Sequence, residues 1–420
     1  MSFFQNILSS VMKGTRRLNR FSPKSFGKLH KNINKAVDSV MSTTGEVSSL
    51  VYAEHLLNLI EDQDDEKLKK FFKHLLNNYD INAKTLIKDV KNYSSEKNEE
   101  NFEKLRITSE PGWIELFRRL NSTSNGTYRL VRLRERIRSL NDKDLKAFDS
   151  GLLKLFKYWF NPSFLVLEKI DWETPANILE KIIEYEAVHE INSWNDLRAR
   201  LAPTDRQCFA FFHPLIPNDP LIFVEVALTQ GIPGSIENII KLEREEIDIE
   251  NTNTAIFYSI SNCHNGLLGI SFGNFLIKKV AKKLKREMPD LNQFLTLSPL
   301  PGFMKWMEEY APITFERCSE KNCSDEELTK KAIKYLTESD RKDGMPNDPV
   351  GRFHIGNGAS LERINLNADL SEKGLSQSYG VMANYLYDLD IVEENHEIFF
   401  KNKIVPVSSE IKSLKKTYKF

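Results

Sequence analysis

The sequence predicts an α+β protein, with an all-helical first part and a mixed-sheet second part, and three observations carry that prediction. Only two of the sixteen prolines (Pro23, Pro111) and six of the eighteen glycines fall before Phe160, and breakers this sparse mark helices. Leu68, Phe71, Phe72, Leu75, Leu76 and Tyr79 recur at the spacing of one helical face. After Asn161-Pro162 the texture changes to short apolar runs, rich in aromatic and β-branched residues, between proline and glycine turns.

Taken in order, Met1 to Val37 contains no acidic residue but eight basic ones, and residues 1–39 read as a basic leader. With Phe3, Phe4, Ile7, Leu8, Val11 and Met12 on one face, the leader suits either a mitochondrial transit peptide or a frayed extension of a cytoplasmic protein. We take the cytoplasmic reading, with the mitochondrial matrix as the alternative. Residues 40–160 follow as an antiparallel helical bundle. Leu86, Ile87 and Val90 begin a second apolar stripe there, and further helices are expected over about Gly126–Leu140 and Asp142–Phe160. The bundle offers no ligand set; His55 and His74 read as packing or surface residues, and an oligomerisation role is expected.

Residues 161–420 read as a mixed-sheet domain. Thr174-Pro175 predicts a helix N-cap with proline in the first turn, the helix running to about Ala187. Gln207–His213 and Leu221–Leu228 predict an antiparallel hairpin. Thr254–Ser261 predicts a third strand, followed by a glycine turn, a helix over about Gly273–Arg286 and a fourth strand at Phe294–Ser298.

Lysine plus arginine equals aspartate plus glutamate at 59 each, so bulk charge points to no nucleic-acid or membrane partner. No apolar run approaches the roughly 18 residues of a membrane-spanning helix. Cys208, Cys263, Cys318 and Cys323 lack metal-ligand spacing and read as unpaired thiols of a reducing compartment, although Cys318 and Cys323 could be neighbours.

The turn from Asn265 to Asn274 carries Gly266, Gly269 and Gly273 and opens a lysine-rich helix. A helix N-terminus offers unpaired N–H groups to an anion, and glycines let a ligand approach the backbone. The same features also occur in ordinary strand-to-helix turns. Strand, glycine turn, helix and strand together resemble the coenzyme A-binding core of acetyltransferases (GNAT-like), though Ser271 stands where that signature has a second small residue.

Two further segments resemble one family closely. They are Leu297-Ser-Pro-Leu-Pro-Gly-Phe303 and Asp348-Pro-Val-Gly-Arg-Phe-His354 through Asn365, followed by Gly380-Val-Met-Ala-Asn-Tyr-Leu-Tyr387. With the TAIFYSIS strand and the GISFGNFLIKKV helix, they are similar to malonyl-CoA decarboxylases from Phe164 to Tyr387. That resemblance implies a helical domain followed by an acetyltransferase-like catalytic domain. It implies catalytic roles for Ser298, His354 and Tyr387, and coenzyme A contacts along Leu268, Gly269, Ile270, Ser271, Phe272, Gly273 and Asn274. Animal members have a glutamate at the position of Ser271, so another group must orient His354, and Glu225 is a candidate.

The implied reaction converts malonyl-CoA to acetyl-CoA and CO2. It needs a held carboxylate, hydrogen bonds to the thioester oxygen and a proton for C2. His354 suits the last task, and Ser298 can engage the carboxylate and relay a proton. No metal and no organic cofactor are expected, coenzyme A being part of substrate and product, and the chain is expected to form a homo-oligomer, a dimer or tetramer. An acyltransferase on the same fold and an acyl-CoA-sensing oligomer are the alternatives. Arg363 reads equally as a phosphate partner or a structural residue; His213 and His264 read as structural, and Cys263 as inert.

Overall fold

The computed structural model describes residues 29–418 except Pro217, Ser271 and Lys321, so most of the basic leader lies outside the described residues. The chain forms two compact units. One holds the residues up to Leu165 together with His213–Asn218 and His264–Ile270; the other holds the remainder.

Among the described residues, the first unit is built from eight α-helices: α1 (Ile33–Ser42), α2 (Glu46–Glu61), α3 (Asp65–Tyr79), α4 (Ala83–Ser95), α5 (Glu99–Thr108), α6 (Gly112–Asn121), α7 (Gly126–Ser139) and α8 (Lys146–Trp159). Their starts are written in the sequence: Asn32, Asp64, Asn82 and Asn98 each accept a backbone N–H of the first turn. Helix α1 begins inside the stretch read as leader and buries Ala36 and Val37. The predicted stripe on α3 is the packing face: Leu68, Phe71, Phe72 and Leu75 are buried, and Phe72 meets Phe148, which also packs on Trp113.

The second stripe is not part of this core. On α4, Ile87 is 57% and Val90 44% exposed, and Phe102 (48%) and Ile107 (64%) are exposed on α5. Periodicity showed an amphipathic helix correctly, but it does not say whether the apolar face meets the chain's own core.

The second unit carries an eight-stranded sheet: β1 (Val166–Ile170), β2 (Arg206–Phe212), β3 (Ile222–Thr229), β4 (Thr254–Asn262), β5 (Gln293–Thr296), β6 (Ser298–Pro299), β7 (Ser360–Asn365) and β8 (Met382–Leu386). The order is β1-β2-β3-β4-β5-β8-β6, with β7 also on β8. Among the named strands every pairing is antiparallel except β4 with β5, so the sheet is mixed, and β4 and β5 lie at its centre. The crossover from β4 to β5 uses the helix α11 (Gly273–Glu287), as parallel strands require. The predicted hairpin is β2–β3, with Cys208 opposite Glu225.

Two local expectations are corrected. Thr174 is not an N-cap: its hydroxyl accepts from Asp171 N–H and closes a turn, and the helix α9 (Ala176–Tyr185) starts after Pro175 without a side-chain cap. The segment after Asp348 forms the helix α14 (Pro349–Gly356), preceded in the chain by α10 (Trp194–Leu201), α12 (Pro312–Ser319) and α13 (Asp325–Thr337). Cys318 and Cys323 are paired, with Cα atoms 4.6 Å apart, because the chain turns back after α12 and Asn322 N–H bonds to the Arg317 carbonyl. Cys208 and Cys263 are free and buried, as read.

Side-chain alternation along β5 and β6 sorts the residues by face. Leu295 and Leu297 join a core with Ala227, Ile256, Tyr258 and Met382. Thr296 and Ser298, on the opposite face, are left for the site.

Candidate active site

The sheet unit brings together three side chains that lie far apart in sequence. Ser298 follows the end of β5, His354 lies in the last turn of α14, and Tyr387 follows β8. Ser298 Oγ lies 3.2 Å from His354 Nε2, and His354 Nδ1 lies 2.8 Å from the Tyr387 hydroxyl. All three are buried.

Helix α14 aims the imidazole. Asp348 caps it, accepting Gly351 N–H at 2.7 Å, and Pro349 occupies the first turn, where a missing N–H costs nothing. The same carboxylate accepts the Tyr335 hydroxyl at 3.0 Å. Burial raises Asp348 to about 6, against the opposing pull of the Gly351 and Tyr335 hydrogen bonds. The Tyr385 ring lies nearly parallel to the imidazole at 4.8 Å, and Tyr387 meets it edge to face at 5.9 Å. Gly273, at the start of α11, leaves room for the Phe353 ring, since a Cβ there would stand 2.3 Å from Phe353 Cζ.

Burial leaves the three side chains of the line uncharged. Burial lowers the His354 pKa from its ordinary value to about 3, because an imidazolium would forfeit its hydration without a carboxylate in return. Burial pushes the Tyr387 phenol upward as well. A neutral imidazole is therefore bracketed by two hydroxyls, an arrangement that can pass one proton along a line.

Glu225 is not the group that orients His354. It accepts from Arg200 at 3.1 Å, and burial raises it to about 8. Tyr387 holds Nδ1 instead. Thr296 was not read from sequence, although it lies two residues before Ser298 and period-two alternation places both on one face. Its Oγ1 accepts Ser298 Oγ at 2.8 Å. Among the described residues Arg363 makes no ion pair; it donates to Asn365 and to the carbonyls of Ile232 and Pro233.

The glycine turn divides between the units. Within the helical unit, buried Arg134 pairs with Asp149 and donates to the carbonyls of Gly266 and Leu268, at 2.6 and 2.9 Å. Gly266 lies so close to the Val131 carbonyl that a Cβ would overlap it, and Gly269 has φ +92°. Ile270 ends this part, and Ser271 lies outside the described residues. Phe272 and Gly273 are buried in the sheet unit, where Asn274 continues α11. His213 Nε2 bonds to the Trp159 carbonyl at 3.1 Å, and His264 is buried edge-on to Tyr128, so both are packed into the helical unit. Burial pushes the Cys263 thiol up. Among the described residues, no group of three or more His, Cys, Asp or Glu side chains could hold a metal ion.

Known proteins match along nearly all of this chain. Residues 79–160 match the malonyl-CoA decarboxylase N-terminal domain, and residues 163–324 and 311–419 match the C-terminal domain. The mitochondrial malonyl-CoA decarboxylases of Anser anser anser and Rattus norvegicus are each 33% identical over 359 residues, or 74% of this chain and 71% and 73% of theirs. The crystal structure of malonyl-CoA decarboxylase from Rhodopseudomonas palustris superposes with a TM-score of 0.85 at 40% identity, covering 91% of this chain and 98% of that one. That from Agrobacterium vitis gives 0.86 at 42%, covering 91% and 99%. The buried serine–histidine–tyrosine line and the two domain matches thus meet in one conclusion: the chain belongs to the malonyl-CoA decarboxylase family.

Proposed function

We propose that this chain converts malonyl-CoA to acetyl-CoA and CO2 at Ser298, His354 and Tyr387. The observation that carries the reading is the buried hydrogen-bonded line from Ser298 through the neutral His354 to Tyr387. A site that excludes water favours loss of CO2, because the malonyl carboxylate exchanges a localised charge for one spread over an enolate. In this scheme Ser298 engages the carboxylate. The C–C bond breaks, its electron pair enters the enolate, and CO2 leaves. The freed Ser298 hydroxyl then relays a proton to C2 and takes the Nε2 proton of His354. Nδ1 in turn takes the phenol proton of Tyr387, and solvent restores the phenol, so one proton is consumed per turnover.

The turn Leu268–Asn274 is the proposed coenzyme A contact. The scheme calls for no metal and no separate cofactor. Its test is malonyl-CoA alone, with chelator and without any acceptor, followed by mass spectrometry. Acetyl-CoA and CO2 should appear in equal amounts, and His354→Ala should abolish both while still binding coenzyme A. Malonyl-CoA that stays intact until an amine is added would instead make the chain an acyltransferase.

A second copy of the chain is the proposed cover for the α4–α5 hairpin, giving a homo-oligomer. The exposed apolar residues Ile87 and Val90 on α4 and Phe102 and Ile107 on α5 are what a second copy would cover. Sedimentation should show a dimer or tetramer that Phe102→Asp with Ile107→Asp dissociates. The proposed compartment is the cytoplasm, or the mitochondrial matrix if the basic leader directs import.

A further inference from the structure

The ladder between β5 and β8 lapses beside the proposed catalytic residues. The register itself is constant, with Leu295 opposite Leu386, Ser298 opposite Ala383 and Pro299 opposite Met382. Between those pairs, side chains stand in for backbone partners. Tyr385 N–H donates to Thr296 Oγ1 at 3.2 Å, and the Thr296 carbonyl accepts Asn384 Nδ2 at 2.8 Å. Asn384 is itself held by Asn365 Nδ2 at 2.8 Å. The lapse thus presents one buried hydroxyl, Thr296, to Ser298 from a fixed position.

We infer that Thr296 is a positioning residue that sets the direction of the Ser298–His354–Tyr387 line, and with it the tautomer of His354. The inference rests on the proposed decarboxylase reading. A serine hydroxyl has one hydrogen to give. Ser298 gives its hydrogen to Thr296 Oγ1, so toward His354 it can only accept. Nε2 therefore carries the imidazole hydrogen, Nδ1 is bare, and the Tyr387 hydroxyl donates to Nδ1. All four side chains are buried, so bulk water does not reset these roles. Each hydrogen then points from Tyr387 toward Ser298, the direction in which the proposed proton must travel. With the opposite polarity, Nε2 would be an acceptor with nothing to deliver. When the malonyl carboxylate enters, Ser298 swings its hydrogen from Thr296 to the substrate while still accepting from Nε2, so the tautomer is already correct.

The test compares Thr296→Val, which keeps the shape and removes the hydroxyl, with Thr296→Ser, which keeps the hydroxyl. The imidazole nitrogens of labelled full-length protein are read by ¹⁵N NMR. Wild type should show His354 protonated on Nε2. In Thr296→Val the tautomer should shift to Nδ1–H and kcat should fall on the order of 100-fold, the low end for positioned proton transfer, with KM nearly unchanged. Thr296→Ser should restore both. A wild-type Nδ1–H tautomer, or a Thr296→Val variant that keeps Nε2–H or full kcat, would overturn the inference. Should Thr296→Val not fold, because Tyr385 N–H loses its acceptor, the wild-type tautomer and Thr296→Ser decide the matter. Loss of activity in His354→Gln alongside an unaffected Thr296→Val would sink the positioning role alone; an active His354→Gln would sink the decarboxylase scheme beneath it.

Discussion

His354 Nδ1 lies 2.8 Å from the Tyr387 hydroxyl, inside a site where neither ring reaches bulk solvent. Tyr387→Phe removes that hydroxyl and leaves the ring. We expect kcat to fall about 100-fold with little change in KM, since the phenol serves proton transfer rather than binding. The folded state should lose only about 1 kcal/mol, the net worth of one hydrogen bond. Steady-state kinetics beside thermal melts check this; an unchanged kcat would remove Tyr387 from the scheme.

The pH dependence follows from a histidine that works uncharged. Burial holds His354 at about 3, so its proton donor is the neutral N–H and no imidazolium is titrated away near neutrality. We expect kcat to show no descending limb through about pH 6.5, the ordinary histidine value. A profile that collapses there would mean that the charged form is the acid.

Stability should depend on pH with a definite sign. His189 and His213, like His354, are lowered by burial, to about 4 each. Between their ordinary value of about 6.5 and these values, the unfolded chain binds protons that the folded chain refuses. Their contribution is therefore complete above about pH 6.5 and is lost as pH falls toward the folded values. Asp348, raised to about 6, acts in the opposite sense over its own range. Glu225, raised to about 8, also opposes the histidines across this range, so the histidine share is read by difference: from pH 6.5 down to 5 the melting temperature of His213→Gln should fall less than that of the wild type.

Gly273→Ala should damage the site from behind. The added Cβ would stand 2.3 Å from Phe353 Cζ, and Phe353 adjoins His354 on α14. We expect an overpacking cost of about 1–3 kcal/mol, read as a lower Tm, together with reduced kcat. A fully active variant with an unchanged Tm would show that the Phe353 ring moves away freely.

Asp348 joins the α14 cap to Tyr335. Asp348→Ala should cost about 1 kcal/mol for the cap alone, with a further loss from the orphaned Tyr335 hydroxyl. Asp348→Asn keeps an acceptor for Gly351 N–H and should retain most of the activity. Melts and kcat for the pair distinguish an orienting cap from a carboxylate that acts by its charge.

Much of this protein is determined by local sequence. Breaker spacing and polar caps are enough for the helical first part, because a helix closes its hydrogen bonds within one segment. Continuous apolar runs are enough for β2, β3 and β4, and the resemblance of the Ser298, His354 and Tyr387 segments singled out three residues that the fold brings together. Tertiary structure decided the rest. Glu225 was drawn to Arg200, leaving Tyr387 beside His354. The apolar stripe of α4 stayed at the surface, and Cys318 met Cys323. The lapse in the β5–β8 ladder turned Thr296 into the acceptor for Ser298. Each of these outcomes depends on which segments distant in the chain come within about 3 Å of one another, the reach of a hydrogen bond. Periodicity and motif spacing describe one segment at a time, and burial exists only once the segments have packed.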